Sequence, residues 1–215
     1  MPSTKSAARS GFEPLPRDFY ARPVLTVAKD VIGKVLVHDS PEGLVAGRIV
    51  EAEAYRGPED RAAHSFGGRR TLRTEAMFGP PGYAYVFFVY GMHWHLNLVT
   101  TREGAPHAVL LRAAQPILGQ ELMAARRGLP AQHVNLCNGP GKLCQAFGVD
   151  RRHYGLDLTQ GSLFLSDVGG ARPKLGRSPR IGVDYAEAWA DKPWRFFELG
   201  NPWVSRARPS RREPR

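Results

Sequence analysis

Four stretches of the chain have the residue pattern of helices. In residues 24–32 apolar positions recur at helical spacing, and Gly33 follows where a glycine commonly ends a helix. The second stretch, residues 116–127, begins with a proline and stops at Gly128. The other two predicted helices cover residues 138–147 and residues 185–190.

Strand-like segments separate these helices. The predicted strands are residues 34–38, 44–55, 83–89, 93–100 and 107–114, followed by one at the start of WRFFELGNPWVSR. The turn-forming sequence DSPEG joins the first two into a hairpin, and Tyr90–Gly91 ends the third, which we expect to pair antiparallel with the fourth. Residues 56–81 form a long polar loop rich in Gly and Arg, and loops of this length usually carry function.

Two glutamates and a tyrosine share one face of the strand at residues 44–55. Because side chains alternate along a strand, the expected faces are Ile49, Glu51, Glu53 and Tyr55 on one side and Val50, Ala52 and Ala54 on the other. A buried carboxylate costs several kcal/mol unless it has partners, so this composition indicates a functional site. The alternative is a solvated strand face with exposed glutamates.

The charge of the chain favours a polyanionic partner. The 215 residues carry a formal net charge of +10 with a pI of about 10.1, which indicates nucleic acid first and an anionic membrane surface second. Five Arg and one Glu in the last ten residues account for +4 of this charge. Basic clusters suited to phosphates occur at Arg69, Arg70 and Arg73, at Arg126 and Arg127, and at Arg151 and Arg152. Solvated surface charge is the alternative for any one of them.

Length and composition predict one domain with irregular ends. With 42% hydrophobic residues, the chain is long enough for one sizeable core and short for two. We expect residues 1–16 to be a disordered basic arm, residues 17–206 to be the single domain, and residues 207–215 to be an Arg-rich flexible tail.

Neither a membrane span nor a secretion signal is visible in the sequence. No apolar run has the length to cross a bilayer, and residues 1–10 lack the apolar segment of a signal peptide. We therefore expect a location in the cytoplasm at the nucleoid if the protein is bacterial, or in the nucleus if it is eukaryotic. Cys137 and Cys144 lie about two helical turns apart, roughly 10 Å, so we expect free buried thiols.

Acid–base hydrolysis and base stacking are the first two chemistries that these residues suit. Glu51 and Glu53, with His64 at loop distance, could hold and deprotonate a water. The segment YAYVFFVYGMHWH concentrates the aromatic rings that sandwich unstacked bases. An aromatic core strand is the alternative for about half of these rings, although Tyr90, next to a glycine, is harder to assign to a core.

Metal binding and phosphate binding are weaker candidates. His93 and His95 share a strand face and could bind zinc with a cysteine, but no Cys-x-x-Cys or His-Glu-x-x-His spacing accompanies them. The segment NGPGKL at residues 138–143 lacks the first Gly and the Ser or Thr of the nucleotide-hydrolase loop, so nucleotide hydrolysis is not expected. Its helix start, with Lys142, could still receive one backbone phosphate.

Longer segments agree with a known family in order and spacing. EAEAYRGPEDRAAHS, MFGPPGYAYVFFVYGMHWHLN, VLLRA and NGPGKLCQA resemble the alkyladenine (3-methyladenine) DNA glycosylase family, over about residues 19–206. The resemblance implies an α+β fold: a single mixed domain with a curved antiparallel sheet flanked by helices and a DNA-inserting hairpin. It also implies a monomeric, monofunctional enzyme of base excision repair that needs neither metal nor cofactor.

The implied reaction takes place on duplex DNA containing damaged purines. The enzyme would flip an alkylated or deaminated purine, such as 3-methyladenine, 7-methylguanine, hypoxanthine or ethenoadenine, and hydrolyse its N-glycosidic bond to leave an abasic site. By motif position, Glu53 resembles the general base that activates the water, and Arg112 the arginine that helps to hold it. Tyr55 resembles one wall of the base pocket, and His64 the histidine that stacks on the base and hydrogen-bonds near it.

The remaining implied roles concern selectivity and DNA contact. Asn97 resembles the amide that discriminates against the exocyclic amine of guanine, and Tyr90 the wedge that fills the space of the flipped nucleotide. The opposite pocket wall is Phe87, where the best-known mammalian members have tyrosine, so stacking is kept and a hydroxyl hydrogen bond is lost. Further DNA contacts are expected from Arg69, Arg70 and Lys142.

Two alternatives to a glycosylase remain at this point. The first is a non-catalytic nucleic-acid binding module, in which the aromatic rings stack bases and the glutamates are surface residues. The second is a zinc hydrolase that uses His93, His95 and a cysteine.

Overall fold

The computed structural model describes residues 11–206, which fold around an eight-stranded antiparallel sheet. The strands are β1 Val35–Ser40, β2 Gly43–Arg56, β3 Ala84–Val89, β4 His93–Thr100, β5 His107–Leu118, β6 Leu163–Ser166, β7 Leu175–Ser178 and β8 Arg195–Glu198. The helices are α1 Arg17–Tyr20, α2 Val24–Asp30, α3 Gln120–Arg127 and α4 Pro140–Phe147, with 3-10 turns at Phe66–Gly68, Glu75–Phe78, Arg151–His153 and Asp184–Trp189. The sheet is curved, and the α+β fold expected from the sequence is confirmed.

Strand β2 is the centre of the sheet because it pairs with three other strands. Along one edge it pairs with β5, and along the other edge β1 pairs with its first half as far as Arg48. Beyond that point β8 takes over and pairs with residues 51–53. Glu51 and Glu53 therefore have a strand on each side, and both side chains are fully buried. The alternative of a solvated glutamate face is wrong.

The expected alternation of β2 is wrong for Ile49. The pairing with β5 is irregular between Ile49 and Glu51 and again between Glu51 and Ala52. Ile49 packs in the main core together with Ala52, whereas Glu51 and Glu53 both contact Arg112 of β5. An irregular register changes the face that a residue occupies, which places Ile49 on the apolar side of the sheet.

The helices cover the apolar face of the sheet. Buried side chains of α2, α3 and α4 join those of β1, β2, β4 and β5 in one main core. The predicted helix at 24–32 is confirmed as α2, and the one at 138–147 is confirmed as α4, which ends before the left-handed Gly148. The short helix predicted at 185–190 is an irregular 3-10 turn, since Glu187 has a φ of 52°. Among residues 11–206, no helix is long and apolar enough to cross a membrane.

The helix predicted over residues 116–127 begins four residues later than expected. Strand β5 continues through this proline, which pairs with Gly47 at a register shift. Proline has no N–H to donate to the ladder, and strands therefore tolerate it where the pairing is irregular. Gly119, with a φ of 74°, separates β5 from α3, and the end of the helix at Gly128 is as predicted.

Residues 11–16, which belong to the arm expected at residues 1–16, are attached to the sheet. Pro14 forms a β-bridge with Ser166 at the end of β6, and the Leu15 N–H donates a hydrogen bond of 2.7 Å to the Leu165 carbonyl. The rest of the expected arm, residues 1–10, and the expected tail at residues 207–215 lie outside the described residues. Strands β6 and β7, four residues each, were not predicted.

Candidate active site

A cavity of about 520 Å³ brings together residues from distant parts of the chain. Of the residues predicted for a glycosylase site, those lining it are Tyr55, His64, Phe87, Tyr90, Asn97, Arg112 and Lys142; the zinc candidates His93 and His95 and the basic residue Arg127 line it too. They come from β2, from the loop after it, from β3 and its turn, from β4, from β5 and from α4. Two of the expected DNA-contacting residues, Arg69 and Arg70, are not part of the lining, and Arg70 is paired with Glu75 at 2.6 Å.

Glu51 is held by four hydrogen bonds. It accepts from the Nε of Arg112 at 2.8 Å and from the Nε of Arg195 at 2.7 Å, and the backbone N–H and hydroxyl of Ser205 donate at 2.7 and 2.9 Å. Burial opposes ionisation, but the two guanidinium charges and these bonds hold the pKa of Glu51 below its ordinary value. Glu51 is thus an ionised anchor for Arg112, and it does not line the cavity.

Glu53 lies directly behind the cavity wall. Its carboxylate accepts a hydrogen bond of 2.8 Å from the Tyr55 hydroxyl and another of 2.8 Å from the Ile181 N–H, and it is paired with Arg112 Nη1 at 3.3 Å. All three partners line the cavity. Glu53 does not itself line the cavity but contacts three residues that do, whereas the only cavity-lining partner of Glu51 among the described residues is Arg112.

The Tyr55 ring forms part of the wall in front of Glu53. Burial and the neighbouring Glu53 charge raise the pKa of Tyr55 well above its ordinary value, so its hydroxyl remains a donor to that carboxylate. The Arg180 guanidinium lies over the ring, 4.7 Å from its centroid.

His64 contacts two rings of β3. Its Nδ1 shares a hydrogen bond of 2.8 Å with the Tyr85 hydroxyl, and its ring meets the Phe87 ring edge-to-face with centroids 4.5 Å apart. Burial, followed by the charges of Arg73 and Arg69, lowers the pKa of His64 to about 4. At neutral pH the imidazole is therefore uncharged, so the cations next to the aromatic rings are Arg180 over Tyr55 and Arg73 over Phe87.

Asn97 and Lys142 supply the polar groups on other sides of the cavity. The Asn97 amide is buried and donates a hydrogen bond of 3.1 Å to the Tyr85 carbonyl, which fixes its orientation. Lys142 lies in the first turn of α4 and donates to the Asn138 side chain at 2.8 Å. Partial burial and the nearby Arg127 and Arg206 lower the pKa of Lys142, which indicates a concentration of positive charge suited to an anion.

The turn between β3 and β4 stands at the edge of the cavity. Tyr90 lines the cavity, is 80% exposed and has a φ of 53°, a conformation that non-glycine residues rarely adopt. Phe88 and Met92, on either side of it, are also exposed. Such exposed apolar groups mark a surface that contacts a partner.

The zinc hypothesis receives no support from this geometry. Among residues 11–206 there is no group of three His, Cys, Asp or Glu side chains arranged to hold a metal ion. Cys137 and Cys144 lie in the main core, and burial raises the pKa of both thiols, that of Cys137 to about 12. His95 instead packs against the Phe87 ring with centroids 5.3 Å apart.

Several residues of the site were not found from the sequence. Ile181 acts through its backbone N–H, which no side-chain pattern reveals, and Tyr85 was grouped with the aromatic strand without a role. Arg195 and Ser205 reach Glu51 from positions 144 and 154 residues away. Only the pairing of β8 with β2 brings them together, so no local signal could have identified them.

The chain is similar to a described family over most of its length. Residues 18–202 match the family model described as methylpurine-DNA glycosylase (MPG). Proteins that carry the provisional name 3-methyladenine DNA glycosylase include one from Methanocella arvoryzae, 50% identical over 196 residues that cover 91% of this chain and 97% of that protein. Others are from Desulfitobacterium hafniense, 48% identical over 198 residues (89% and 98%), and Clostridium acetobutylicum, 44% identical over 196 residues (88% and 96%).

Proposed function

Because the chain belongs to the methylpurine-DNA glycosylase family, we propose that it flips damaged purines out of duplex DNA and hydrolyses their N-glycosidic bond with a water that Glu53 activates. As a member of this family the protein is a DNA glycosylase, a hydrolase whose macromolecular substrate is DNA. The proposed substrates are 3-methyladenine, 7-methylguanine, hypoxanthine and ethenoadenine, and the product is an abasic site. We propose that the protein acts as a monomer on chromosomal DNA.

One observation carries this proposal: a buried carboxylate lies immediately behind an aromatic cavity. Glu53 contacts three cavity-lining residues, and Arg112 connects it to the ionised Glu51. A general base must lie within hydrogen-bond reach of the proton that it removes, or reach it through small movements of its neighbours. A surface glutamate, as a pure binding module would have, does not fit this burial.

The cavity suits a flat, electron-poor base. Tyr55, His64 and Phe87 place aromatic surface in its lining, and its volume of about 520 Å³ lies in the range of small-molecule sites. N3- and N7-alkylated purines carry a formal positive charge, which the faces of electron-rich rings attract. Since His64 is uncharged at neutral pH, it adds no repulsion to such a base. Neutral lesions such as hypoxanthine would depend more on shape and hydrogen bonds.

The proposed hydrolysis needs a water and a negative group at the sugar. As the bond between C1′ and the base nitrogen breaks, its electron pair leaves with the purine and the sugar acquires positive charge. The water oxygen forms the new bond to C1′, and its proton passes to Glu53. The Glu53 charge also stabilises the cationic sugar, and Arg112 holds both the carboxylate and the water.

Capture of the flipped nucleotide is assigned to the rim of the cavity. Flipping costs a few kcal/mol, less for a damaged or mispaired base, and a side chain inserted into the stack offsets part of this cost. Tyr90 is exposed and adjacent to the cavity, as such a wedge must be. Lys142 is placed to contact a backbone phosphate at the rim, and the surface residues Arg69 and Arg70 would add sequence-independent affinity.

Release of the modified base from lesion-containing duplexes tests the proposal. We expect the wild-type chain to excise at least one of the four lesions in the presence of a chelator, and Glu53→Gln to lose about 10²–10⁴-fold in single-turnover rate while it still binds the duplex. Glu121→Gln, which changes a glutamate in the first turn of α3 outside the cavity, is the matched control and should excise at the wild-type rate.

Two results would overturn this proposal. Full activity of Glu53→Gln would remove Glu53 from the mechanism. Salt-dependent binding without release of any of the four bases would favour the non-catalytic binding module for this chain.

A further inference from the structure

Arg180 and Asp60 form a buried ion pair that the proposed mechanism does not use. Arg180 Nη1 donates to Asp60 Oδ2 at 2.5 Å and Nη2 donates to Asp60 Oδ1 at 2.9 Å, and both side chains are fully buried. The two residues are 120 positions apart in the chain. Neither lines the cavity, so neither can contact a bound base directly.

This pair joins three of the chain segments that contribute to the site. Arg180 Nη1 also donates to the Ala54 carbonyl of β2 at 2.9 Å, between Glu53 and Tyr55, and Nη2 donates to the Trp189 carbonyl at 3.0 Å. Asp60 accepts from the backbone N–H groups of residues 56 and 62, which form the loop that leads to the pocket histidine. One guanidinium thus connects the strand of the proposed base, that loop and the segment of residues 180–189.

The same arginine is connected to the Glu53 carboxylate through two neighbouring residues. Its guanidinium lies over the Tyr55 ring, whose hydroxyl donates to Glu53 Oε2. The next residue, Ile181, donates its backbone N–H to Glu53 Oε1. Both carboxylate oxygens therefore have a partner whose position depends on Arg180.

Stability alone does not account for a buried arginine here. Replacing a buried ion pair by apolar residues of similar volume is often neutral or stabilising. In addition, the Nε of Arg180 is buried and has no hydrogen-bond partner among the described residues. An arginine that leaves a donor unsatisfied, yet makes four directed hydrogen bonds, suits a role in geometry better than a role in packing.

We propose that Arg180, held by Asp60, is a positioning residue that orients the Glu53 carboxylate through the Tyr55 ring and the Ile181 N–H. This inference rests on the proposed function of Glu53. It predicts that Arg180 affects the rate of bond cleavage more than capture of the lesion, because within residues 11–206 neither Arg180 nor Asp60 is hydrogen-bonded to Tyr90 or Lys142, the residues assigned to capture.

The first test is Arg180→Lys, which keeps the charge but loses the planar fork and the stacking on Tyr55. We expect the single-turnover excision rate to fall by about 10- to 100-fold, as small misplacements of a catalytic group do, while the Kd for lesion duplex changes less than about threefold. Val27→Ala in the core of α2, far from the cavity, is the control for general destabilisation. A rate of Arg180→Lys equal to that of this control would overturn the proposal.

A second substitution, at Asp60, separates the positioning role of Arg180 from its contribution to stability. The double variant Arg180→Lys with Asp60→Glu restores the ion pair but not the bonds to the two carbonyls. We expect it to regain thermal stability without regaining the excision rate. Recovery of thermal stability and of the excision rate together would overturn the proposal. If Arg180→Lys alone does not fold, the double variant is measured in its place.

Combining Arg180→Lys with Glu53→Gln tests most directly whether Arg180 acts through Glu53. If Arg180 acts through Glu53, adding Arg180→Lys to Glu53→Gln should not slow excision further, because residues that act as a unit are not additive. Multiplied losses would show that Arg180 acts elsewhere and would overturn this inference. An absence of base release by the wild-type chain would instead refute the proposed function itself, so the two failures are distinguishable.

Discussion

The cavity interior and the turn between β3 and β4 belong to the same strands but are built in opposite ways. Tyr85 in β3 is 1% exposed, whereas Tyr90, five residues later, is 80% exposed. In the interior, Glu51 and Glu53 are buried and paired with Arg112. At the turn, large apolar groups face solvent. Under the proposed function, chemistry and DNA capture are therefore separate tasks of the two regions.

The largest effect is expected from breaking the buried ion pairs of Arg112. Arg112→Met removes the cation shared by two buried carboxylates, and breaking a buried pair costs about 3–5 kcal/mol because the partner charges remain. We expect the free energy of unfolding in denaturant to fall by this amount and excision to be lost. Arg70→Met, which removes an exposed pair with Glu75, is the control and should unfold like the wild type. Equal stability of the two variants would contradict the role given to the interior.

The second prediction concerns the turn alone. Tyr90→Ala removes an exposed side chain, so we expect no change in unfolding but weaker binding of lesion duplex by about tenfold, since each ~1.4 kcal/mol of lost interaction is tenfold in affinity. Binding of undamaged duplex should change less than about threefold. Titrations of both duplexes measure this difference. Equal losses on the two would count against a wedge.

The third prediction concerns the pH dependence of the free energy of unfolding, to which His64 contributes. The pKa of His64 is lowered from 6.5 to about 4, chiefly by burial, so the unfolded chain binds protons below pH 6.5 that the folded chain does not. Its contribution to stability is fully present above pH 6.5 and declines as the pH falls towards 4, by at most about 1.4 kcal/mol per pH unit. Unfolding measured between these values should show a shallower slope for His64→Gln than for the wild type. Tyr90→Ala keeps His64, so the pH dependence of its unfolding should equal that of the wild type. A changed slope in that variant would show that the turn and the cavity interior are not independent.

The smallest expected effect lies at Phe87, between the two regions. Phe87→Tyr keeps the aromatic face and adds a hydroxyl, so excision of cationic lesions should stay within about threefold of the wild type. Neutral lesions such as hypoxanthine depend more on hydrogen bonds, and their relative rate should change more. Competition between the two lesion classes in one reaction gives the ratio directly. An unchanged ratio would show that this position does not influence substrate range.

Much of the sheet could be predicted because its strands have clear alternation and turn residues. The β1–β2 hairpin and the β3–β4 pair lie where the sequence predicted them. The helix start at residue 116 was predicted wrongly, because the pairing of β5 with β2 extends the strand through a proline. Strands β6 and β7 are only four residues long, too short for a periodic pattern to be visible.

The site was predicted in part. Seven residues predicted for a glycosylase site line one cavity, since their motifs were recognisable as local segments. Arg180 and Asp60 were not predicted, because a single arginine and a single aspartate 120 residues apart carry no local pattern. Their importance depends on the crossing of three segments, which exists only in the folded chain.

The sequence by itself identified the side chains that we propose to carry the chemistry. The alternation along β2 places Glu51 and Glu53 on one side, and the spacing of the motifs indicates the family. The resemblance singled out Glu53, and the tertiary structure showed how differently the two glutamates are bound. Arg195 and Ser205, brought by β8 and the segment after it, bind Glu51 as an anchor and leave Glu53 against the cavity wall. The reason is physical: a buried carboxylate takes its role from its hydrogen-bond partners, and most of these partners are distant in sequence.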